Sequence, residues 1–378
     1  MSDTLRGIRV LDLTRILAGP YATMLLADLG ADVIKVEDPA GDPMRKMGPP
    51  FEADGRSPYF MAVNRSKRSV VLDLRQSVDQ RRFLDLVKTA DVVIDNFRPG
   101  VALRLGIAHE HLCAVKSNIV TCSMTAFGAE GPYQSLPAFD LVLQAMGGGM
   151  SITGEPGRAP QRAGVPIGDL AGGVFAALAV CAGLLHRDRT GDGQHIDLSL
   201  LDVQVSLLTY VAQYYLTDGR VLGPVGSGHP SVVPYQAFES ADGYLVVAVL
   251  GEAYWPSLCR VLGLESIIDR YSDNAARQTH RDQVVAALGA RFRERPTDDW
   301  IRELWAAGVP SGPINSIDRV LQDPQVLHRN MVATDSERRL IGNPIKTGVI
   351  DRFTPAPSLG QHNVEVLDAG KGRSPQRS

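Results

Sequence analysis

The sequence predicts an α/β fold: a Rossmann-like parallel sheet in a large domain, followed by a smaller α+β domain. Three observations carry this. Short runs rich in Val and Ile alternate with helical runs through the first third. A Gly- and Pro-rich stretch without periodicity, "TDGRVLGPVGSGHPSVVP" at 217–234, then interrupts the pattern. Beyond it the chain opens with strand, turn and strand around Asp242–Gly243, a hairpin signature rather than a crossover.

The elements follow in order. "IRVLDL" is a short apolar strand, "GPYATMLLADLG" a helix closed by Gly30, and "ADVIKVE" a second strand; "SVVLDL", "DVVIDNF" and "NIVTCSMTAF" follow at helix-separated intervals. Ligands of such sheets sit beyond the carboxyl ends of the strands, which directs attention to Thr14–Gly19, Glu37–Pro39, Asn96–Gly100 and Phe127–Gly131. No G-x-G-x-x-G follows the first strand, so the dinucleotide fingerprint is missing. "MGGGMSITGEPG" at 146–157 reads either as a loop near a site or as plain linker. After a buried apolar helix at 170–185 come a turn in "RTGDGQ", a strand in "HIDLSL" and a long amphipathic helix. The domains are therefore 1–216, a linker at 217–234, a small domain with three helical segments at 235–320, and a return to the large domain at 321–369. A basic tail, 370–378, is expected to be disordered.

Charge narrows the function. With 39 Lys and Arg against 42 Asp and Glu, nothing suggests a nucleic-acid surface, while small anions remain open as ligands. Cys113, Cys122, Cys181 and Cys259 show no paired spacing and fit reduced thiols in a cytoplasmic chain. The N-terminus has no apolar signal segment, and the run Leu170–Leu185 is shorter than the roughly 20 residues that span a bilayer, so no membrane role is expected. Histidines lack metal-site spacing, and no G-x-S-x-G occurs.

One residue stands out. In "GVPIGDLAGGVFAALAVCAGLL" the carboxylate of Asp169 precedes sixteen uncharged residues. It caps the helix, or it is a nucleophile whose oxyanion the helix-start N–H groups stabilise, with Gly168 giving clearance; both readings fit the local pattern. Asp140, in "PAFDLVLQA", reads as the cap of its own helix.

Several longer motifs carry a resemblance. "LRGIRVLDLTRILAGPYATMLLADLGADVIKVEDPAGD", "YFMAVNRSKRSVVLDL", "DNFRPG", "GVPIGDLAGG" and "LGQH", spread in fixed order from Leu5 to about Leu367, resemble the family III CoA-transferases of the CaiB/BaiF type. "VVPYQAFESADGYLVVAV" and "GVPSGPINSIDRVLQDPQVLHRNM" are similar to the succinyl-CoA:dicarboxylate (glutarate) branch. The resemblance implies an interlocked homodimer and transfer of CoA from a donor such as succinyl-CoA to a free acid, expected to be a C4–C6 dicarboxylate. It also implies an aspartyl-CoA thioester on Asp169 and no bound metal or redox cofactor, coenzyme A entering as a thioester substrate.

Matching by motif, Leu17, Leu72 and Arg75 would line the nucleotide end, with Asn96, Phe97 and Arg98 at a strand end and Arg104 and the loop through Ala138, Phe139 and Asp140 giving further contacts. The three arginines suit phosphate. Arg15, Arg45 and Arg65 are candidate clamps for a second carboxylate, and Gly251 and Glu252 stand where relatives carry a mobile glycine-rich loop. That loop is missing here, which argues against oxalate. Asp38 replaces an arginine. Phe139 replaces the histidine of the racemase branch, removing one of two proton-transfer groups, so an α-methylacyl-CoA racemase is the weaker alternative. A CoA-binding protein without catalysis is the other.

Overall fold

The computed structural model describes residues 4–335, 338–347 and 353–368; the basic tail at 370–378 lies outside them. The described residues form two compact units, one drawn from 1–149, 162–218 and 324–378 and a smaller one from 150–161 and 219–323. The glycine-rich stretch 146–157 is divided between the two, residues 146–149 in the larger unit and 150–157 in the smaller, with Gly149–Ile152 a turn of 3₁₀ helix.

The larger unit is built on β1 (Arg9–Asp12), β2 (Asp32–Glu37), β3 (Arg68–Val71), β4 (Val92–Asp95), β5 (Val120–Thr125) and β6 (His195–Ser199). They run parallel in the order β3-β2-β1-β4-β5-β6. Side chains alternate between two apolar layers: Val10, Val33, Val92 and Ile94 enter one core, and Leu11, Ile34 and Val93 the other. A sheet covered on both faces needs such continuous apolar strands, which is why these runs are apolar without a polar stripe. Strand order reverses between β1 and β4, so the crevice at their carboxyl ends is where a ligand belongs.

The first core is closed by helices Ala18–Asp28 and Ile167–Thr190. The helix Ala18–Asp28 ends where Gly30 takes a φ of 103°, as the sequence suggested. The helix Ile167–Thr190, at 24 residues, is by length and composition able to cross a membrane. Gly172, Gly173, Ala176, Ala177, Val180 and Leu184 nevertheless turn one face into the core, while Val174, Phe175, Leu178 and Leu185 are exposed. The expectation of a buried helix therefore holds for one face alone. A Cβ on Gly173 would stand 2.7 Å from the Ala18 carbonyl oxygen, so only glycine lets the two helices meet this closely. Gly173→Ala is expected to cost about 1–3 kcal/mol, read as a lower denaturant midpoint, because backbone cannot yield as a side chain can.

The long helix expected after β6 is two, Leu200–Leu207 and Thr209–Asp218, broken where Thr209 takes a φ of 43°.

In the smaller unit, β7 (Tyr235–Glu239), β8 (Tyr244–Ala248) and β9 (Ser311–Pro313) form an antiparallel sheet over a core containing Trp255 and Trp300. Helices Tyr254–Leu262, Asn274–Thr279, Arg281–Phe292 and Thr297–Ala306 number one more than the pattern suggested, since the chain restarts at Arg281 after His280 leaves helical geometry. A two-stranded ribbon, β10 (Val332–Thr334) with β11 (Arg339–Ile341), belongs to the larger unit.

Candidate active site

Two clefts open at the strand-order reversal and share Arg15, Ile16, Asn96, Phe97 and Arg98. One, of about 290 Å³, is lined also by Leu17, Ala18, Met124–Ala126, Pro137–Phe139 and Asp169. The other, of about 460 Å³, runs over Val36–Asp38, Leu72–Arg75, Val101 and Leu105. The two lie either side of these shared residues, a track from the acidic Asp169 side chain to a strand end that suits an elongated ligand with a reactive tip. The two loops at its centre are tied: Asn96 Oδ1 accepts from the Arg15 amide at 2.9 Å, and Asn96 Nδ2 donates to the Arg15 carbonyl at 2.8 Å. Between them Ile16 adopts a φ of 74°, costly for a β-branched residue by about 1–3 kcal/mol and sustained by its surroundings.

Asp169 occupies the first turn of its helix but does not cap it. The cap position is Pro166, and the residue lies at the third helical position. The cap comes from another helix start: Asp140 Oδ1 accepts from the amides of Gly168 at 2.9 Å and Asp169 at 3.2 Å, while Asp140 Oδ2 accepts from Gln144 Nε2 at 2.6 Å. Asp140 thus stands first in the helix Asp140–Met146, behind Phe139 at the cap, and serves the neighbouring helix instead of its own. Asp140 is not among the residues that line either cleft. The helix-start amides expected to hold an oxyanion are in this state taken by Asp140. At Gly168 a Cβ would stand 2.3 Å from Gln204 Nε2 and 2.9 Å from Asp140 Oδ1, so any larger residue would make these polar groups shift.

Burial, and then the Asp140 carboxylate beside it, push the Asp169 carboxyl up to about 6. A weakly acidic carboxylate is the better nucleophile once ionised. Chemistry on Asp169 should therefore fall about tenfold per pH unit below 6 and level off above it, checked by single-turnover rates between pH 4.5 and 8.

The other candidates divide. Arg15, Asn96, Phe97 and Arg98 line both clefts, Leu72 and Arg75 the second, and Ala138 and Phe139 the first. Leu17, expected at the nucleotide end, lies instead in the Asp169 cleft, because it is the residue from which helix Ala18–Asp28 starts. Arg75 is exposed and bridged to Asp73; Arg15 pairs with Asp38 at 2.7 Å, which gives the substituted Asp38 a partner. Arg104 is exposed and outside the lining of both clefts, since Val101 and Leu105 present the inner side of that turn.

Arg45 and Arg65 are not free clamps. Arg45 forks onto Glu37 at 2.7 and 2.8 Å and stacks on Phe60, while Arg65 forks onto buried Asp28 and stacks on Phe353. Each neutralises a carboxylate that burial would otherwise make costly. Gly251 and Glu252 belong to the smaller unit, where Glu252 accepts from Arg277 at 2.7 Å.

Sequence reading missed three neighbours. Tyr59 has its phenol pushed up by burial and by the charge of Asp169. Gln144 and Gln204 are buried behind the helix start. Tyr59 opens the motif "YFMAVNRSKRSVVLDL" and Gln144 lies in "PAFDLVLQA", but neither stretch says which of its side chains will reach Asp169. Among the described residues no group of three or more His, Cys, Asp or Glu side chains could hold a metal ion.

Known proteins match this arrangement along nearly the whole chain. The model for CoA-transferase family III covers residues 5–363. A succinate–glutarate CoA-transferase of Agrobacterium fabrum is 40% identical, covering 96% of this chain and 94% of its own. A succinyl-CoA:glutarate CoA-transferase of Mus musculus is 41% identical, over 96% of this chain and 85% of its own. The crystal structure of a CaiB/BaiF family protein from Brucella suis superposes with a TM-score of 0.89 at 37% identity, over 98% of this chain and all of its own. The chain belongs to CoA-transferase family III.

Proposed function

We propose that this enzyme moves coenzyme A from succinyl-CoA to a C4–C6 dicarboxylate such as glutarate, through a thioester on Asp169. The observation that carries the reading is a carboxylate of raised pKa at the inner end of a track lined by Arg15, Asn96, Arg98 and Arg75. Asp169 attacks the thioester carbonyl of the donor, giving a mixed anhydride and the CoA thiolate. The thiolate then attacks the Asp169 acyl carbon, releasing succinate and leaving aspartyl-CoA. The acceptor carboxylate attacks this thioester to form a second anhydride and free thiolate. Attack of the thiolate on the acceptor acyl group returns Asp169 and releases the new acyl-CoA. Each step exchanges one activated carboxyl for another, so no bond requires a metal or an electron carrier.

Within the track, Arg98 and Arg75 would meet phosphates at the Leu72 end, with the pantetheine arm passing Asn96 and Phe97. Arg15 is the remaining candidate to hold the second carboxylate, in exchange for Asp38. The exposed apolar face of Val174, Phe175, Leu178 and Leu185, with Tyr215 and Leu216 exposed further along, supports burial against a second copy in an interlocked homodimer. Free Cys113, Cys122, Cys181 and Cys259 suit a reducing cytoplasmic setting.

The test is incubation with succinyl-CoA alone followed by intact-protein and peptide mass spectrometry. A CoA adduct on the Asp169 peptide is expected, and a folded, CoA-binding protein without adduct would overturn the reading. Offered glutarate, malate, itaconate, mesaconate, oxalate and carnitine, the enzyme should favour dicarboxylates of four to six carbons; a preference for oxalate or carnitine would reassign the acceptor. Solvent deuterium entering the α-carbon of a chiral acyl-CoA would point instead to a racemase.

A further inference from the structure

A buried amide behind the reacting carboxylate has no partner. Gln204, on helix Leu200–Leu207, is 4% exposed, and its Nε2 makes no hydrogen bond. Leaving a buried donor unbonded is destabilising, and a role in function is one reason such a group is kept. The donor faces the start of helix Ile167–Thr190: the point where a Cβ on Gly168 would stand lies 2.3 Å from Gln204 Nε2 and 2.9 Å from Asp140 Oδ1. Asp140 Oδ1, the other polar atom beside that point, already holds the amides of Gly168 and Asp169. Gln204 is not among the residues lining the cleft that holds Asp169, which points to an acceptor within the protein.

We propose that Gln204 is a positioning residue that takes over the Asp140 carboxylate during turnover and so frees the helix-start amides for the oxygens charged at Asp169. The inference rests on Asp169 being the nucleophile. Each attack in the cycle places a full negative charge on a tetrahedral oxygen at this helix start, where N–H donors stabilise it most. In the resting arrangement Asp140 occupies those donors, and a carboxylate oxygen with two bonds has no room for a third. Shifting that oxygen toward Gln204 Nε2 exchanges one set of bonds for another without leaving the carboxylate unpaired. A Cβ at 168 would crowd both groups, so the glycine leaves them room to shift.

The experiment compares Gln204→Leu with the parent by succinyl-CoA single turnover, steady-state transfer to glutarate, CoA binding calorimetry and thermal melting. Expected is adduct formation slowed at least about tenfold, with kcat reduced in step and KM and CoA affinity within twofold of the parent. Adduct formation within twofold of the parent overturns the inference. A loss shared between kcat and KM, with a lower melting temperature, also overturns it, because Gln204 is then a packing residue. Gln204→Met, which keeps the length without the donor, gives the same reading if the leucine variant fails to fold. A parent that forms no adduct sinks the nucleophile assignment itself, an outcome separate from an unchanged Gln204→Leu.

Discussion

Substituting Asp169 with asparagine is expected to lower CoA transfer by at least about 10³-fold and to raise the melting temperature at the same time. The first effect follows from chemistry: the amide keeps the shape of the side chain but offers no carboxylate to acylate, and neither the anhydride nor the thioester can form. The second follows from the raised pKa. The folded protein binds a proton on Asp169 more tightly than the unfolded chain does, since burial and Asp140 push its carboxyl from the ordinary 3.8 up to about 6. Stability is therefore lost as pH rises through that window, and above pH 6 the ionised side chain costs roughly 2–3 kcal/mol. Asparagine carries no such charge. The variant should melt above the parent at pH 7.5, and the difference should close toward pH 4, where both side chains are neutral. Transfer assays and thermal denaturation at the two pH values check both halves. A variant that retains a tenth of the activity would remove Asp169 from the mechanism, and one that melts lower at pH 7.5 would show that the buried charge is well solvated.

The strands and the central carboxylate were legible in the sequence because both are local. Runs such as "VVID" declare a strand covered on two faces, and Asp169 stands alone before an apolar helix. What the sequence concealed is pairing at a distance. Asp140 lies 28 residues before Gly168, and nothing in "PAFDLVLQA" says that its carboxylate will cap a different helix. Arg45 and Arg65 looked available as clamps because the carboxylates that consume them, Glu37 and Asp28, sit in other elements and are themselves buried. Arg15 stayed in the cleft for the converse reason, its partner Asp38 being at the rim. The exposed side of helix Ile167–Thr190 was hidden too, since a run apolar on every side reads the same whether its second face meets the core or solvent.

The second large effect is expected beneath the cleft, at Lys67. Its Nζ spends all three protons on buried acceptors: Asp12 Oδ2 at 3.0 Å, the Pro20 carbonyl at 2.9 Å and Asn64 Oδ1 at 2.9 Å. Burial pushes this ammonium down to about 8 in spite of Asp12. Burial would raise the Asp12 carboxyl, but Lys67, Lys35 and the hydroxyls of Thr14 and Thr23 outweigh it and hold it below its usual value. Lys67→Met removes one charge and leaves the other in a dry site, a change that costs about 3–5 kcal/mol. Asp12 also holds the amide and hydroxyl of Thr14, and Thr14 passes its carbonyl to Lys35 Nζ at 2.8 Å. The loop that presents Arg15, the strained Ile16 and Leu17 to the track hangs from this cluster. The variant should therefore unfold at lower denaturant and bind CoA more weakly even where it remains folded. Adding Asp12→Asn to Lys67→Met removes the charge that Lys67 balanced and should recover part of the stability but little of the affinity, because the Lys67 bonds to the Pro20 carbonyl and Asn64 stay broken. Denaturant titration and CoA calorimetry on the single and double variants separate the two effects. Full recovery of affinity in the double variant would show that Lys67 acts on the loop through charge alone.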